Sequence, residues 1–148
     1  MIKKKILAIV YRKRNNKEEF LTLKENNADK THHALGFYVI TGGVKGNESL
    51  ATAVKREIKE ETGIKKIINI QDLNTVYEYK HPAEEDYSCQ ECCFAVLVDD
   101  EVKHLSEEHT EYKWLYIEDF IDTMDWYYNK AGLKILLKQF IKSSYLRR

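Results

Sequence analysis

Residues 42–64 read Gly42-Gly43-Val44-Lys45-Gly46-Asn47-Glu48-Ser49-Leu50-Ala51-Thr52-Ala53-Val54-Lys55-Arg56-Glu57-Ile58-Lys59-Glu60-Glu61-Thr62-Gly63-Ile64. The spacing predicts a helix from Ser49 to Glu61. Asn47 or Ser49 can cap its start, accepting bonds from the free N–H groups of the first turn. Leu50, Ala53, Val54 and Ile58 recur at intervals of three and four and form one apolar stripe. Gly63 is placed to end the helix in the left-handed conformation. Glu57 lies about two turns after Leu50, so it points along the stripe and not away from it. Glu60 and Glu61 follow at i+3 and i+4, which gathers three carboxylates on one surface.

A plain helix gains nothing from this arrangement. Like charges at i, i+4 cost about 0.2–0.5 kcal/mol per pair. Acids in the last turn also face the negative end of the helix dipole, at about 0.3–1 kcal/mol each. Lys55, Lys59, Lys65 and Lys66 would relieve charge on a solvated helix end, but they do not explain acids on the apolar side. A carboxylate there needs a partner or it neutralises. A hard divalent cation is such a partner, because Mg²⁺ takes oxygen ligands, keeps waters and bridges to substrate phosphates. Gly42 and Gly43 ahead of the helix allow backbone to approach a ligand closely.

The pattern Gly42-x5-Glu48-x7-Arg56-Glu57-Ile58-x-Glu60-Glu61-x-Gly63-Ile64 resembles the signature of the Nudix hydrolases at every fixed position. The resemblance implies an α/β fold of the α+β kind, an α/β/α sandwich with a mixed β-sheet. It also implies hydrolysis of a nucleoside diphosphate linked to another moiety, with Mg²⁺ or Mn²⁺. On this resemblance Glu57, Glu60 and Glu61 are metal-binding and catalytic acids. Arg56 orients them by a salt bridge, and Glu48 braces the loop. A backbone carbonyl near Thr41 or Gly42 completes the metal shell. Two positions depart from the family: Lys45, where an acid is common, and Asn47, where glycine is common. Asn tolerates left-handed angles better than most residues, so the turn is expected to survive.

A second segment, Glu108-His109-x-x-Tyr112-Lys113-Trp114-Leu115, resembles the branch of the family that cleaves dATP and dihydroneopterin triphosphate. That likeness makes Glu108 a further metal ligand and the candidate base that activates water, with Glu107 as its rival. Thr41 before the glycine pair, and Trp126-x-x-Asn129, are further likenesses to this branch. Lys24, Thr41, Gly42, Gly43 and Asn129 are the candidate substrate-binding residues. Tyr77, Tyr79, Tyr87 and Trp126 are candidates for stacking on a nucleobase.

The chain has 148 residues, suited to a single domain over 1–148. With 24 basic and 24 acidic residues its formal net charge is zero, which argues against a bulk nucleic-acid surface but not against a nucleotide. No apolar run approaches a membrane span. The basic start Met1-Ile2-Lys3-Lys4-Lys5 precedes an apolar run too short for a signal peptide, and it reads as an opening strand. A cytoplasmic protein is expected, a monomer or homodimer with a small-molecule nucleotide substrate. Cys89, Cys92 and Cys93 lie in a strand-like run where neighbours face opposite ways. They read as small apolar residues and not as a zinc site.

Strands are predicted over Ile2–Arg12, Glu19–Lys24, Gly36–Thr41, Lys66–Ile70, Leu73–Lys80, Tyr87–Asp99 and Trp114–Ile117. Further helices are predicted over Glu118–Thr123 and Tyr127–Ser143. The loop carrying His32 and His33 either covers the base or ribose or is solvated. The expected reaction converts a nucleoside triphosphate, dATP or dihydroneopterin triphosphate among the choices, to monophosphate and pyrophosphate. The alternatives are a Nudix hydrolase of ADP-ribose, a dinucleoside polyphosphate or capped RNA, and a nucleotide-sensing module without turnover. A prenyl diphosphate isomerase is disfavoured, since no catalytic cysteine motif surrounds Cys89–Cys93.

Overall fold

A computed structural model of the chain describes residues 2–25, 36–80, 88–107, 109–124 and 130–141. Its elements are β1 (Ile2–Arg14), β2 (Lys17–Glu25), β3 (Phe37–Tyr38), β4 (Ile40–Gly43), α1 (Leu50–Thr62), β5 (Ile67–Lys80), β6 (Ser88–Val98), β7 (His109–Leu115), α2 (Ile117–Thr123) and α3 (Lys130–Leu136). The fold is of the α+β class, a mixed sheet with a few helices. The chain forms two compact units. One comprises Met1–Val10 and Ile40–His104, the other Tyr11–Val39 and Leu105–Arg148.

The first unit carries the acidic helix. The start of β1 pairs antiparallel with β4, setting Lys5 opposite Gly43 and Ile6 opposite Gly42. β6 lies beside β1, and β5 pairs antiparallel with β6. Alternation along β1 is masked because Ile6, Leu7, Ala8, Ile9 and Val10 are all buried, the mark of a strand covered on both faces. The stripe of α1 is buried as its periodicity requires, with Ala53, Val54 and Ile58 fully inside. Lys66–Ile70 and Leu73–Lys80 are one strand and not two. Asn74 adopts φ 52°, the register shifts between Asp72 and Val76, and Asp72 Oδ1 accepts from Asn74 N at 2.8 Å. The turn-like residues therefore mark an irregularity inside the ladder and not its end.

In the second unit β2 pairs antiparallel with the end of β1, with β3 and with β7. Its core is an aromatic cluster: Phe20 stacks on Tyr11 at 5.6 Å and on Phe120 at 5.2 Å, and meets Phe140 edge-on at 5.4 Å. Such pairs add about 0.5–1.5 kcal/mol each beyond their burial. β7 begins at His109, ahead of the predicted Trp114, since its first half is polar and largely exposed and gives no apolar signal. Ile117 opens α2 and does not close a strand. Of the predicted last helix, α3 covers Lys130–Leu136, and a turn at Leu137 interrupts it before helical residues 138–141.

After β6, the loop from Asp99 to His104 returns to the end of α1. Asp100 Oδ2 accepts from Lys65 N at 2.9 Å and Lys66 N at 3.2 Å, and Oδ1 accepts from Glu101 N at 2.9 Å. These backbone donors, with Lys103, hold the Asp100 carboxyl well below the usual carboxylate range. A carboxyl held down in the folded state contributes stability above its ordinary titration range and loses it as pH falls. The advantage of the native chain over Asp100→Asn in urea midpoint is therefore expected to shrink as pH drops from about 5 to about 2. A gap that stays constant across that range would contradict the assignment.

Candidate active site

α1 starts where the sequence places it. Ser49 is the N-cap, its Oγ accepting from Thr52 N at 3.1 Å, and Gly63 closes the helix at φ 76°. In the loop before it, Glu48 Oε1 accepts from Lys45 N at 2.9 Å, and Glu48 N donates to Lys45 O at 3.0 Å. Lys45 thus serves this turn through its backbone, whatever its side chain. The left-handed residue of the turn is Gly46, at φ 51°. Asn47 is not among the residues with positive φ, so its tolerance of such angles is not what preserves the turn.

Arg56 binds the loop to the helix. Its Nε donates to Glu48 Oε2 at 3.0 Å and its Nη2 to Glu48 Oε1 at 2.6 Å, a two-pronged pair. The same Nη2 donates to the Gly43 carbonyl at 2.8 Å. Nη1 donates to Glu57 Oε1 at 2.8 Å and reaches Glu60 Oε2 at 3.4 Å. Charge-assisted bonds of this geometry are the strong ones. The bond from Arg56 holds the Glu48 carboxyl down at about 2, and the carboxylates push the Arg56 guanidinium further up.

The three helix acids differ. Glu57 and Glu61 are both 8% exposed, whereas the Glu60 side chain is 50% exposed. Burial pushes the Glu57 carboxyl up, against the bond and charge of Arg56, and the charges of Glu60 and Glu61 add to the rise. Gly42 faces Glu57: a Cβ there would fall 2.1 Å from Glu57 Cδ and 2.2 Å from Oε1. Only glycine leaves that carboxylate its place.

A hard cation fits this set. The donors are carboxylate oxygens, one pinned by a guanidinium and seated in a space that a side chain would fill. Among the described residues no three His, Cys, Asp or Glu side chains converge as a closed cage. Mg²⁺ keeps several waters and binds through one or two carboxylates together with the substrate's phosphates.

Thr41, Gly42, Gly43, Arg56, Glu57, Glu60 and Glu61 all belong to the first unit, where Arg56 and Gly42 join Gly43, Glu57 and Glu60 by direct contact. Lys24 belongs to the second unit, on β2 opposite Phe37 and Glu111. Glu108, Asn129, Tyr87, Trp126, His32 and His33 lie outside the described residues. Glu107 is exposed. Tyr79 donates to Glu91 Oε2 at 3.0 Å and accepts from Lys5 Nζ at 3.4 Å, so its hydroxyl belongs to a partly buried network. Burial pushes the Tyr77 hydroxyl up. Glu91, which is fully buried, is absent from the residues singled out by sequence. Alternation along β6, which sets it on the face of Cys89 and Cys93, was the available signal. The cysteines are free thiols, Cys89 and Cys93 buried, and burial pushes Cys93 up to about 12.

The sequence profile of the NUDIX domain matches residues 3–136, and the chain belongs to that family. It is a Nudix pyrophosphohydrolase, of a family acting on nucleoside diphosphate derivatives. Among solved structures it is similar to a Listeria monocytogenes protein assigned to the NUDIX hydrolases, with 24% identity and TM-score 0.72, covering 95% of this chain and 94% of that one. It is similar to the C. elegans Ap4A hydrolase in a binary complex, with 27% identity and TM-score 0.67, covering 94% and 97%. It is similar in fold to the E. coli dihydroneopterin triphosphate pyrophosphohydrolase, with 20% identity and TM-score 0.67, covering 88% and 92%. No curated protein matches significantly. Among the described residues no helix is long and apolar enough to cross a membrane.

Gly42→Ala is expected to leave the fold intact while displacing Glu57. Turnover should drop by roughly 10–100-fold, the usual cost of disturbing the surroundings of a metal ligand, with far-ultraviolet circular dichroism unchanged. Full activity in Gly42→Ala would contradict the close seating of Glu57.

Proposed function

We propose that the chain hydrolyses a nucleoside triphosphate or related nucleotide to the monophosphate and pyrophosphate, with Mg²⁺ or Mn²⁺. The observation that carries this reading is the Arg56 hub, which pins Glu57 beside Gly42 in a site of oxygen donors. Glu57 and Glu61 would be the principal metal ligands, with Glu60, more exposed, sharing or bridging a second ion. The bound cation supplies charge neutralisation for the phosphates and a lowered pKa for water.

The chain's own residues do the rest. Arg56 fixes the rotamer of Glu57, so that carboxylate is oriented before substrate arrives. Glu48, held ionised, keeps Arg56 from swinging towards the phosphates. A carboxylate, Glu108 or one of the helix acids, takes the proton of the attacking water. Attack is in line at phosphorus, and the diphosphate group departs. Catalysis of this kind is mostly positioning and charge stabilisation. Lys24, Thr41, Gly42, Gly43 and Asn129 are the proposed substrate contacts, and the whole chain is proposed to act as one domain in the cytoplasm.

Thr41 before the glycine pair and the Glu108-His109 segment favour the triphosphate. One observation favours a second substrate, a dinucleoside polyphosphate: the 27% identity to the C. elegans Ap4A hydrolase over nearly the full length of both chains.

A substrate panel with Mg²⁺ or Mn²⁺ tests the reading. It would contain the eight common nucleoside triphosphates, dihydroneopterin triphosphate, ADP-ribose and diadenosine tetraphosphate, with products separated by chromatography. Monophosphate plus pyrophosphate from a triphosphate is the expected result. Cleavage of diadenosine tetraphosphate alone would select the second reading. Glu57→Gln should lower turnover by at least about a thousandfold, or ~4 kcal/mol of barrier; equal rates would sink the helix-acid mechanism.

A further inference from the structure

The last turn of α1 carries Glu60 and Glu61 at the negative end of the helix dipole, with Lys59 as its basic residue. Its carbonyls are met from outside the helix. Thr62 O accepts from Lys103 N at 2.8 Å and from His104 N at 3.3 Å. His104 Nε2 lies 3.2 Å from the carbonyl of Glu60 itself, so that nitrogen carries the hydrogen. The imidazole sits against Gly63, where a Cβ would fall 2.8 Å from Nδ1 and 3.0 Å from Cε1. Asp100 anchors the loop by its bonds to Lys65 N and Lys66 N, and by Lys103 Nζ at 3.0 Å. Asp99 N donates to Lys66 O at 2.9 Å.

The last carbonyls of a helix have no partner within it and must be met by caps, side chains or water. Here one of the ties reaches the peptide group of a residue whose side chain belongs to the acid cluster. The three donors aimed at this end, Lys103 N, His104 N and His104 Nε2, offset the dipole's penalty on the acids. They also fix the twist of the last turn, and with it the directions of the Glu60 and Glu61 side chains relative to Glu57.

We propose that His104 is a positioning residue for the acid cluster: through the Glu60 carbonyl it sets the last turn of α1 and so the affinity for the divalent cation. This rests on the metal reading of the same helix. The test uses the full chain and Mn²⁺ alone, with free Mn²⁺ followed by electron paramagnetic resonance and the metal-free melting point measured in parallel. His104→Ala should weaken Mn²⁺ binding on the order of tenfold, as loss of a group behind a metal ligand does. His104→Gln, whose amide can donate to the same carbonyl, should recover most of that loss.

If His104→Ala melts lower but binds Mn²⁺ as the native chain does, His104 is only a helix cap and the inference fails. If His104→Gln is as weak as His104→Ala, the hydrogen bond is not the cause and the inference fails. Should His104→Ala not fold, His104→Leu keeps bulk over Gly63 without the donor and takes its place. A native chain that does not bind Mn²⁺ overturns the metal reading itself, an outcome distinct from the others.

Discussion

The site depends on one guanidinium. Arg56 touches Glu48, Glu57, Glu60 and the Gly43 carbonyl, joining the glycine turn, the capping loop and the helix. Its planar fork suits this role as an ammonium would not. A buried carboxylate such as Glu57 is costly unless it is paired. Arg56 provides the pairing at one oxygen, and the space beside Gly42 receives the carboxylate. Charge that the fold alone would avoid is thereby kept in place and oriented.

The surrounding structure serves that constraint. β1 is buried along Ile6–Val10 and pairs with β4, which fixes Gly42 and Gly43 by register. The apolar stripe of α1 fixes the rotation of the helix, so Glu57 and Glu61 come to the inner side. The loop from Asp99 to His104 holds the far end of the helix, so its last turn is tied at its carbonyls and not frayed.

Much of this was legible in the sequence because it is local. The helix, its Ser49 cap, its Gly63 stop and the inward pointing of Glu57 follow from spacing within residues 42–64. Glu60 shares the acidic surface but is exposed, because an i+3 step rotates about 60° away from Glu57 while i+4 overshoots by only about 40°. Asn74 looks like a strand break since its local turn chemistry competes with the ladder, and pairing with β6 overrides it. The polar first half of β7 exists through its partner β2, which no local pattern records. Asp100 meets the Lys65–Lys66 segment just after α1, and His104 meets α1 itself, across some forty residues of chain, and a lone acid and a lone histidine in a polar loop carry no periodic signal. The family resemblance supplied the roles of the acids; their burial and the seat beside Gly42 arise only in the folded chain.

Glu57 and Glu61 are proposed to hold a divalent cation against a phosphate chain. The most direct measurement is a crystal structure of the chain with Mn²⁺ and a non-hydrolysable nucleoside triphosphate, with anomalous scattering locating the metal. The expected result is an anomalous peak coordinated by Glu57 and Glu61 oxygens and by phosphate oxygens, with Arg56 still bridging Glu48 and Glu57. A metal bound away from α1, or a nucleotide seated with no metal at these carboxylates, would contradict it.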